Sequence, residues 1–375
     1  MQGEHTHDPL QRIRSEALQL PDISETTAQA YRQHLDLLLR DVNHAMGTRK
    51  DLQALIGGQQ MALLFDNHKH HAAFMATVLQ LNAFELLAKT IPWVYRTYFA
   101  RGFSPDYFPI ELKTWQEALQ RRLPAEAASV ISNVYAWMLE RHAQFLDLAK
   151  TLTVSMAQVP PNFAVKQSAF QAHALAGDHR ACLGIAAQIT EHDGGVEELY
   201  LHVIQPTMEN VGILWEQNEI SVADEHLTSA VVSRVLTQIS LLESNDIPPR
   251  HTAIVSCVAN ESHELGAWMM ADLLERNGWD VKFLGANTPP RALIRMVENT
   301  DPDLLMLSIT LFQNIPEAQT LIQTLRQSIS AERLKIMVGG QAFQNLHSLW
   351  VKTGADGFAP DPKKALALLD DWFAL

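Results

Sequence analysis

The sequence predicts a mixed, multi-domain protein in which two all-helical segments precede an α/β domain with a parallel, doubly wound sheet. Apolar residues recur at helical spacing from the N-terminus to about residue 240. Two pairs of adjacent prolines, Pro160-Pro161 and Pro248-Pro249, hold the chain extended and mark boundaries between segments. Beyond the second pair, short apolar runs alternate with amphipathic stretches, which is typical of βαβ units.

The first segment, residues 1–157, is predicted to be an all-helical sensor or regulatory domain. Breakers such as Gly57-Gly58 and Leu123-Pro124 start or end its helices. Packed helices of this number indicate a bundle-like or globin-sized domain. The expected helices lie near Glu25–Met46, Gln53–Leu64, His68–Leu87, Pro92–Phe99, Glu111–Leu119 and Glu126–Leu148.

The second segment, residues 163–245, is predicted to be a four-helix-bundle cap. Glycine-containing turns at Ala176-Gly177-Asp178 and Asp193-Gly194-Gly195 separate its helices. Short connections favour antiparallel neighbours, as in an up-and-down bundle. The expected helices are Val165–Ala176, Arg180–Glu191, Val196–Glu216 and Ala223–Leu242.

The third segment, residues 250–375, is predicted to be a flavodoxin-like (Rossmann-like) domain with a five-stranded parallel sheet. Runs such as Ala253-Ile-Val255 are apolar throughout, as expected for strands buried on both faces. The expected strands are 252–258, 280–284, 304–309, 335–338 and 356–358, and the expected helices lie near 264–277, 290–299, 316–329, 342–350 and 363–373.

The composition of the 375-residue chain excludes several classes of protein. Hydrophobic residues make up 47% and charged residues 19%, which is ordinary for a folded protein. A net charge of −13 without a Lys/Arg run argues against direct binding to nucleic acid. Two cysteines are too few for a disulfide framework and indicate a reducing compartment. Because no signal peptide or membrane-length apolar run is visible, we expect a cytoplasmic protein without membrane contact.

A histidine follows the first predicted strand, in the stretch Glu261-Ser262-His263-Glu-Leu-Gly266. Ligands of open parallel sheets bind outside the carboxyl ends of the strands, so His263 lies at the favoured edge. Gly266 allows the backbone to pack closely against a ligand. A lone histidine at a strand end is more often structural or solvated than a ligand, so this loop alone leaves both interpretations open.

A flat aromatic ring, a carboxylate and an imidazole are predicted to meet at one edge of the cap. Trp215 would end the third cap helix, while Glu225 and His226 would begin the fourth. Ser221 and Asp224 are plausible N-caps for that fourth helix. The three side chains suit one shared ligand, although Trp215 on its own would be interpreted as a core residue.

Residues 165–375 resemble the cobalamin-binding unit that methyltransferases, mutases and light sensors share. That unit is a helical cap followed by a Rossmann-like domain, and its motif Asp-x-His-x-x-Gly stands here as Glu261-x-His263-x-x-Gly266. Glutamate at the first position is similar to the variant in adenosylcobalamin-dependent light-sensing repressors, as is the Trp-x9-Glu-His pattern of the cap. Further matching stretches follow the second, third and fourth predicted strands: Leu284–Pro289, Ser308-Ile-Thr310 and Gly339-Gly340.

The resemblance implies adenosylcobalamin as the cofactor. His263 would replace the cofactor's own base as the lower axial ligand of cobalt. Glu261 can accept the other ring N–H of that histidine, since metal-bound histidines usually donate it to a neighbouring acceptor. Trp215 could seal the upper face against water and solvent oxygen. The implied cofactor-binding residues are Glu261, Ser262, His263, Gly266, Trp215, Glu225, His226, Ser308, Thr310, Gly339 and Gly340.

The chain departs from the light-sensing repressors at Glu216. In those proteins the residue after the cap tryptophan is a histidine, which captures cobalt once light has removed the upper ligand. A carboxylate is a poorer match for cobalt(III), which puts the same bis-histidine photoproduct in doubt. The remaining expectations are that His226 substitutes as the upper-face ligand or that water fills the site.

The N-terminal segment is expected to hold either a solvated histidine-rich helix start over an aromatic core or a second chromophore. The stretch Asp66-Asn-His68-Lys-His70-His71 is predicted to open a helix. Some cobalamin photoreceptors that the chain resembles hold a bilin in an N-terminal helical domain, which implies biliverdin bound without a thioether because the segment lacks cysteine. Side chains suited to a linear tetrapyrrole are Trp93, Tyr95, Tyr98, Phe99, Phe103, Tyr107, Phe108, Trp115, Tyr135 and Trp137, with Arg96, Arg101, His70, His71 and His142.

The preferred interpretation is a photoreceptor rather than an enzyme. Light would break the cobalt–carbon bond, and a shift of the cap would change oligomeric state or partner contacts. We expect a homo-oligomer with a light-dependent state, and no DNA-binding or output domain, so the signal would pass to a protein partner or regulator. The alternatives are a corrinoid methyl carrier of a methyltransferase system, in which His263 controls cobalt nucleophilicity, and light-independent cobalamin sensing or storage.

Overall fold

A computed structural model describes residues 8–152, 155–192, 194–241, 248–344 and 348–373. The chain divides into two compact units, and we call Met1–Val154 with Glu216–Glu219 the first unit and Ser155–Trp215 with Ile220–Leu375 the second unit. In the described ranges, every helix is too short or too polar to cross a bilayer. The predicted domain boundaries 1–157, 163–245 and 250–375 remain a prediction, and residues 1, 245 and 375 lie outside the described residues.

The described part of the first unit is helical. Its helices are α1 (Pro9–Ala17), α2 (Glu25–Gln33), α3 (Leu35–Gly47), α4 (Leu52–Leu55), α5 (Met61–Leu81), α6 (Phe84–Ala100), α7 (Tyr107–Arg122), α8 (Ala125–Glu140) and α9 (His142–Thr151). The predicted helix 25–46 is broken at His34, which ends α2 and begins α3. The prediction that Asp66 to His71 opens a helix is wrong, because this stretch lies inside α5.

Large aromatic side chains fill the interior of the first unit. Tyr31, Tyr107, Trp115, Tyr135 and Phe145 are fully buried there. Tyr95 stacks on Phe108 with ring centroids 3.7 Å apart. Rings of this size bury a large apolar area and account for much of the stabilisation of a helical core.

The cap helices of the second unit follow the predicted order. They are α10 (Pro161–Leu175), α11 (His179–Ile189), α12 (Gly195–Leu199), α13 (Gln205–Glu216) and α14 (Val222–Ser240), and one π-helical turn, Tyr200–Ile204, joins α12 to α13. Ser221 caps α14 as predicted, and its hydroxyl and the Asp224 carboxylate form a reciprocal capping box. The predicted end of this helix at Leu242 lies outside the described residues.

A five-stranded parallel sheet completes the second unit and confirms the predicted fold class. The strands are β1 (His251–Cys257), β2 (Trp279–Gly285), β3 (Leu304–Ser308), β4 (Lys335–Gly339) and β5 (Gly357–Ala359), in the order β2-β1-β3-β4-β5. The accompanying helices are α15 (Leu265–Arg276), α16 (Pro290–Thr300), α17 (Ile315–Arg326), α18 (Ser348–Thr353) and α19 (Pro362–Phe373). The direction of winding reverses between β1 and β3, which makes their carboxyl ends the topological switch point.

The cap and the sheet of the second unit share one apolar core, which runs from Phe163 to Leu369. A buried polar set also joins them. The Tyr200 hydroxyl donates to Asp272 over 2.7 Å, and the guanidinium of Arg276 donates to the same carboxylate and to the carbonyl of Ile239. Because a buried carboxylate is costly unless it is paired, these bonds fix the π-helical turn against α15.

Candidate functional site

The histidine singled out in the sequence lies at the switch point of the sheet. β1 ends at Cys257 and α15 begins at Leu265, so His263 belongs to the loop between them. Its side chain is 52% exposed. Among the described residues, hydrogen bonds engage the Nδ1 atom of the ring and leave Nε2 without a partner. One ring nitrogen is thus fixed while the other faces outward.

Glu261 holds the His263 ring. Its side chain is fully buried, and its Oε1 atom lies 2.6 Å from His263 Nδ1. The backbone N–H of His263 donates to the same oxygen over 3.2 Å. The carboxylate thereby selects the tautomer with hydrogen on Nδ1, which leaves a lone pair on Nε2.

The second oxygen of Glu261 is anchored in the loop after β3. The backbone N–H groups of Thr310 and Leu311 donate to Oε2 over 2.9 and 2.8 Å, and Asn314 Nδ2 donates over 3.1 Å. A carboxylate is an acceptor with room for several donors, so a fully buried charge is satisfied here by hydrogen bonds alone.

The electrostatics of the pair follow from these contacts. Burial alone would raise the pKa of Glu261, but the hydrogen bonds from His263, Leu311 and Asn314 lower it to about 2. The hydrogen bond to Glu261 raises the pKa of His263, and the negative charges of Glu261 and Glu225 act in the same direction against the effect of burial. The negative charge of Glu225 on the cap therefore contributes to the raised pKa of His263.

The predicted small residues after β3 and β4 lie side by side. Ser308 pairs with Gly339 in the sheet register, and Ile309 N donates to Gly339 O over 2.9 Å. Gly340 has a positive φ of 101°, and a Cβ atom there would lie 2.3 Å from the Ile309 carbonyl oxygen. Only glycine fits this close approach of the two loops. Thr310 contributes its backbone N–H to Glu261 over 2.9 Å.

The residues beside His263 in this loop are open to solvent. Ser262 and Gly266 are exposed, and a Cβ atom placed on Gly266 would meet nothing within 4 Å. An outward-facing imidazole nitrogen next to open space fits a large planar metal complex that brings its other ligands with it. The residues present therefore fit the predicted corrinoid.

The cap residues Trp215, Glu225 and His226 occupy the helix ends predicted from the sequence. Trp215 is half-buried near the end of α13, Glu225 lies in the first turn of α14, and His226 is the next residue of that helix. Ser229 donates its hydroxyl to Glu225 over 2.8 Å, and His226 Nε2 lies 3.4 Å from the Glu225 carboxylate. The His226 side chain is 74% exposed, so its imidazole is accessible.

Glu216, the position that departs from the light-sensing repressors, has a different set of contacts. It belongs to the first unit, and its side chain is 7% exposed. Arg96 donates to its Oε1 over 2.5 Å, and the indole N–H of Trp93 donates to its Oε2 over 2.8 Å. Arg101 donates to its carbonyl oxygen over 3.2 Å. Both carboxylate oxygens are thus engaged within the first unit.

Sequence reasoning missed Asn314, Glu264 and Asn287. Asn314 is 4% exposed and reaches Glu261 from a position 53 residues away along the chain. Glu264 accepts from Ala286 N over 2.8 Å, and Asn287 Oδ1 accepts from the backbone of Asn260 over 2.7 Å. No sequence spacing points to these contacts, because the strand order β2-β1-β3 brings the three loops together.

The residues predicted for a second chromophore mostly lie in the packed interior of the first unit. His71 Nε2 lies 3.1 Å from the Tyr135 hydroxyl, and His142 Nδ1 lies 2.9 Å from the Tyr95 hydroxyl. His68, expected on a solvated face, is fully buried between Asn43 and Tyr107. His70 is exposed, and Arg96 and Arg101 donate hydrogen bonds to Glu216.

Burial shifts the titration of several groups in this interior. It lowers the pKa of His68 to about 4 and that of His71 to about 3, the latter with help from His68. It raises the pKa of Glu111 to about 7, although a hydrogen bond from Trp115 opposes the shift. At neutral pH the two imidazoles are therefore uncharged.

Comparison with known proteins adds two family matches. Two families, each described as a B12 binding domain, match residues 167–240 and 251–367. These ranges contain the cap residues and the His263 loop described above.

Similar proteins include a transcriptional repressor and corrinoid proteins. The chain is 31% identical over 140 residues to the HTH-type transcriptional repressor CarH of Myxococcus xanthus, a match that covers 37% of this chain and 46% of CarH. It is 25% identical over 177 residues to dimethylamine corrinoid protein 3 of Methanosarcina acetivorans, covering 46% of this chain and 80% of that protein. The monomethylamine corrinoid protein structure from Methanosarcina barkeri is 16% identical with a TM-score of 0.47, covering 56% of this chain and 99% of that one. The chain thus spans less than half of the length of CarH.

Proposed function

Because its B12 binding domains at residues 167–240 and 251–367 place the chain in the cobalamin-binding family with a corrinoid cofactor, we propose that it is an adenosylcobalamin-dependent light sensor. The observation that carries this proposal is the pairing of Glu261 with an outward-facing His263, together with a tryptophan and Glu225-His226 on the cap. The similarity to CarH and the Glu-x-His and Trp-x9-Glu-His patterns of light-sensing repressors support it.

The lower face is assigned to His263. Its Nδ1–H is directed to Glu261, so the neutral ring would present the Nε2 lone pair to cobalt. Ser308, Gly339 and Gly340 lie at the carboxyl ends of β3 and β4, where the nucleotide tail would bind. Ser262, Gly266 and the backbone at Thr310 complete this side.

The upper face is assigned to the cap. When bound, adenosylcobalamin supplies a cobalt–carbon bond that visible light cleaves. Trp215 would exclude water from that face, and Glu225 and His226 would contact the adenosyl group. His226 is the exposed imidazole that would occupy the upper face after the adenosyl group leaves, since both oxygens of Glu216 are already engaged.

The output would be a change in association. Loss of the adenosyl group would remove its contact with α13 and α14, and a shifted cap would present a different surface. We propose a homo-oligomer whose state differs between dark and light, acting on a protein regulator. Absence of DNA binding stays a prediction from the net charge of −13, since one relative is named as a transcriptional repressor.

A methyl carrier is the alternative function. The match to a dimethylamine corrinoid protein covers 80% of that protein. This coverage supports a methyl-carrier role for the matched part of the chain. A methyl carrier needs an upper face that is open to its enzyme partners, whereas Trp215, Glu225 and His226 would cover it. Light-independent cobalamin sensing or storage is the remaining alternative.

A bilin in the first unit is a separate part of the proposal. The half-buried imidazole of His71 and the buried phenol of Tyr135, next to aromatic rings, are of the type that would bind pyrrole nitrogens and propionates. Biliverdin added to the full chain should then give a red-shifted absorption band. No shift at saturating biliverdin would remove the second chromophore.

The test of the sensor is the absorption spectrum of the full chain with adenosylcobalamin, before and after green light in air. We expect a cobalamin spectrum with histidine as lower ligand in the dark, and a permanent change with a new elution volume after light. An unchanged spectrum together with methyl transfer from methylcobalamin to a methyltransferase partner would replace the sensor by the methyl carrier.

Two histidine variants separate ligation from folding. His263→Ala should lose the histidine-ligated spectrum and weaken binding by about 10-fold or more, because the lower ligand is removed. His192→Ala is the matched control, since that side chain is 57% exposed and lies in the same unit, paired with Glu198. Wild-type spectra from His263→Ala would refute the ligand role of His263.

A further inference from the structure

Strand β2 lies at one edge of the sheet. The order β2-β1-β3-β4-β5 gives it a single neighbour, β1, among the described residues. From Asp280 to Gly285 its residues are only partly buried, whereas β1 is buried from Ala253 to Cys257. An edge strand presents unpaired backbone N–H and C=O groups that a strand of another chain can bind. Within the described part of the chain, the outer side of β2 is therefore available for pairing.

The regular part of this edge is short and well defined. Trp279–Phe283 pairs with His251–Val255 in an unbroken parallel register, which then shifts so that Ser256 is opposite Gly285. Leu284 is thus an extra residue, and a bulge of this kind bends the strand and interrupts regular pairing. A strand that extends the sheet on this side would therefore pair with Trp279–Phe283.

The sequence Trp279-Asp-Val-Lys-Phe283 is complementary to itself in an antiparallel pair centred on Val281. In that register, Val281 is opposite Val281 of the second copy, Asp280 is opposite Lys282, and Trp279 is opposite Phe283. Apolar and aromatic side chains pack together at directly opposite positions of antiparallel strands, and opposite charges there attract. Every residue of the regular edge therefore has a favourable partner.

Other antiparallel registers lose this complementarity. A pair centred on Lys282 sets two lysines opposite each other, and a pair centred on Asp280 sets two aspartates opposite each other. A pair centred between either residue and Val281 sets a charge opposite an apolar side chain. Because like charges directly opposite destabilise a strand pair, the charges select the register centred on Val281. A two-fold axis at Val281 then relates the two copies.

The charged side chains are accessible for this pairing. Asp280 and Lys282 share one face of β2, since residues two apart in a strand point to the same side. Lys282 Nζ lies 2.7 Å from Asp280 Oδ1, and the two side chains are 40% and 42% exposed, the lysine first. In the antiparallel pair, each lysine would lie between its own aspartate and the aspartate of the second copy.

Apolar surface borders the same edge on the other face of β2. Val281 and Phe283 are partly buried there, and the ring centroid of Phe283 lies 6.0 Å from that of Trp268 on α15. Association of two copies would remove part of this surface from water. Burial of apolar surface would therefore add to the backbone hydrogen bonds of the strand pair.

We propose that β2 is an interaction surface for a second copy of this chain, with the two sheets joined antiparallel at Trp279–Phe283 into one continuous sheet. The interface uses the same residues of both copies, as in most symmetric dimers. Trp279–Phe283 lies outside the residues assigned to the cofactor. The association is therefore expected without cofactor and in the dark, and it does not depend on the proposed light sensing.

The test is sedimentation velocity of the full chain without cofactor in the dark. Wild type should form a dimer. Asp280→Lys sets like charges opposite each other at two positions of the pair, and Lys282→Asp does the same with aspartates. Each variant should weaken self-association by about 10- to 100-fold, because two attractive pairs become repulsive.

A mixture of the two variants tests the register. In a mixed pair, the lysines of Asp280→Lys are opposite the aspartates of Lys282→Asp, so the mixture should form a heterodimer although each variant alone associates weakly. The double variant Asp280→Lys with Lys282→Asp exchanges the charges and should dimerise like wild type. Variants that are merely misfolded would not restore each other's association.

Lys364→Asp is the matched control. It changes the net charge as Lys282→Asp does, and its side chain is 70% exposed in the same unit. This variant should dimerise like wild type. A monomeric wild type up to its solubility limit would overturn the proposal. Single variants at positions 280 and 282 that dimerise like wild type, or a mixture that stays monomeric, would do so as well.

Discussion

The buried carboxylate of Glu261 shows how single residues build this site. A buried charge is tolerated only when donors satisfy it, and here the donors come from its own loop and from the loop after β3. The spacing Glu-x-His made Glu261 predictable from the sequence, since residues two apart in a loop can share a ring proton. Asn314 was not predictable, because its distance along the chain carries no periodic signal.

The raised pKa of His263 predicts a pH dependence of cofactor binding. A protonated ring has no Nε2 lone pair, so cobalt competes with the proton. The hydrogen bond to Glu261 and then nearby negative charge raise the pKa of His263 above 6.5. The affinity for adenosylcobalamin should therefore increase as the pH rises through that raised pKa, and it should be constant at higher pH. Titrations of adenosylcobalamin from about pH 5 to about pH 9 measure this. A flat curve for wild type, or the same slope in His263→Ala, would contradict it.

Glu111 predicts a second pH effect, in the first unit. Burial raises its pKa from 4.5 in the unfolded chain to about 7. Between these values the folded state keeps a proton that the unfolded chain releases. The contribution of Glu111 to the free energy of unfolding is therefore full below pH 4.5 and declines as the pH rises to about 7. Chemical unfolding of Glu111→Gln should lack that decline. Equal pH slopes for the variant and wild type between these limits would show that Glu111 does not cause the effect.

At the level of elements, the sheet was predictable and the helices of the first unit less so. Every predicted strand overlaps its observed strand. Short apolar runs that are bounded by glycine or proline and alternate with amphipathic helices are typical of buried parallel strands. In the first unit, apolar residues occur all around α5, so the apolar periodicity does not locate the first residue of this helix. The helix begins at Met61 instead of the predicted His68. Pro92 lies inside α6 instead of starting a helix, since neighbouring packing outweighs its lost hydrogen bond.

The ion pair at the end of α13 yields a prediction about element stability. Glu216→His removes the acceptor of Arg96 and Trp93 and leaves a half-buried guanidinium without its partner. We expect a loss of about 2 kcal/mol in the unfolding free energy of the first unit, without a new cobalt ligand. Denaturant unfolding and the spectrum after illumination measure both effects.

The control for this variant is an exposed ion pair. Arg12→Ala breaks the pair with Glu16, in which the arginine side chain is 68% exposed, and should cost under about 0.5 kcal/mol. A bis-histidine spectrum in Glu216→His after light would show that the position reaches the upper face after all.

The whole molecule has two compact units, which predicts two thermal transitions. Adenosylcobalamin at about 100 times its dissociation constant should stabilise the second unit by about 2.7 kcal/mol, because the cofactor binds the folded state only. Differential scanning calorimetry of the full chain, with and without cofactor in the dark, measures the shift. One transition that moves as a whole would show that the units unfold together.

The assignment of Glu216–Glu219 to the first unit has a practical consequence for dissection of the gene. A fragment that stops at residue 154 would contain Arg96, Trp93 and Arg101 but would lack Glu216, which accepts their hydrogen bonds. Such a fragment should express poorly or precipitate. The fragment should be rescued by a short peptide that spans residues 216–219, either added in trans or fused to the fragment through a glycine-rich linker.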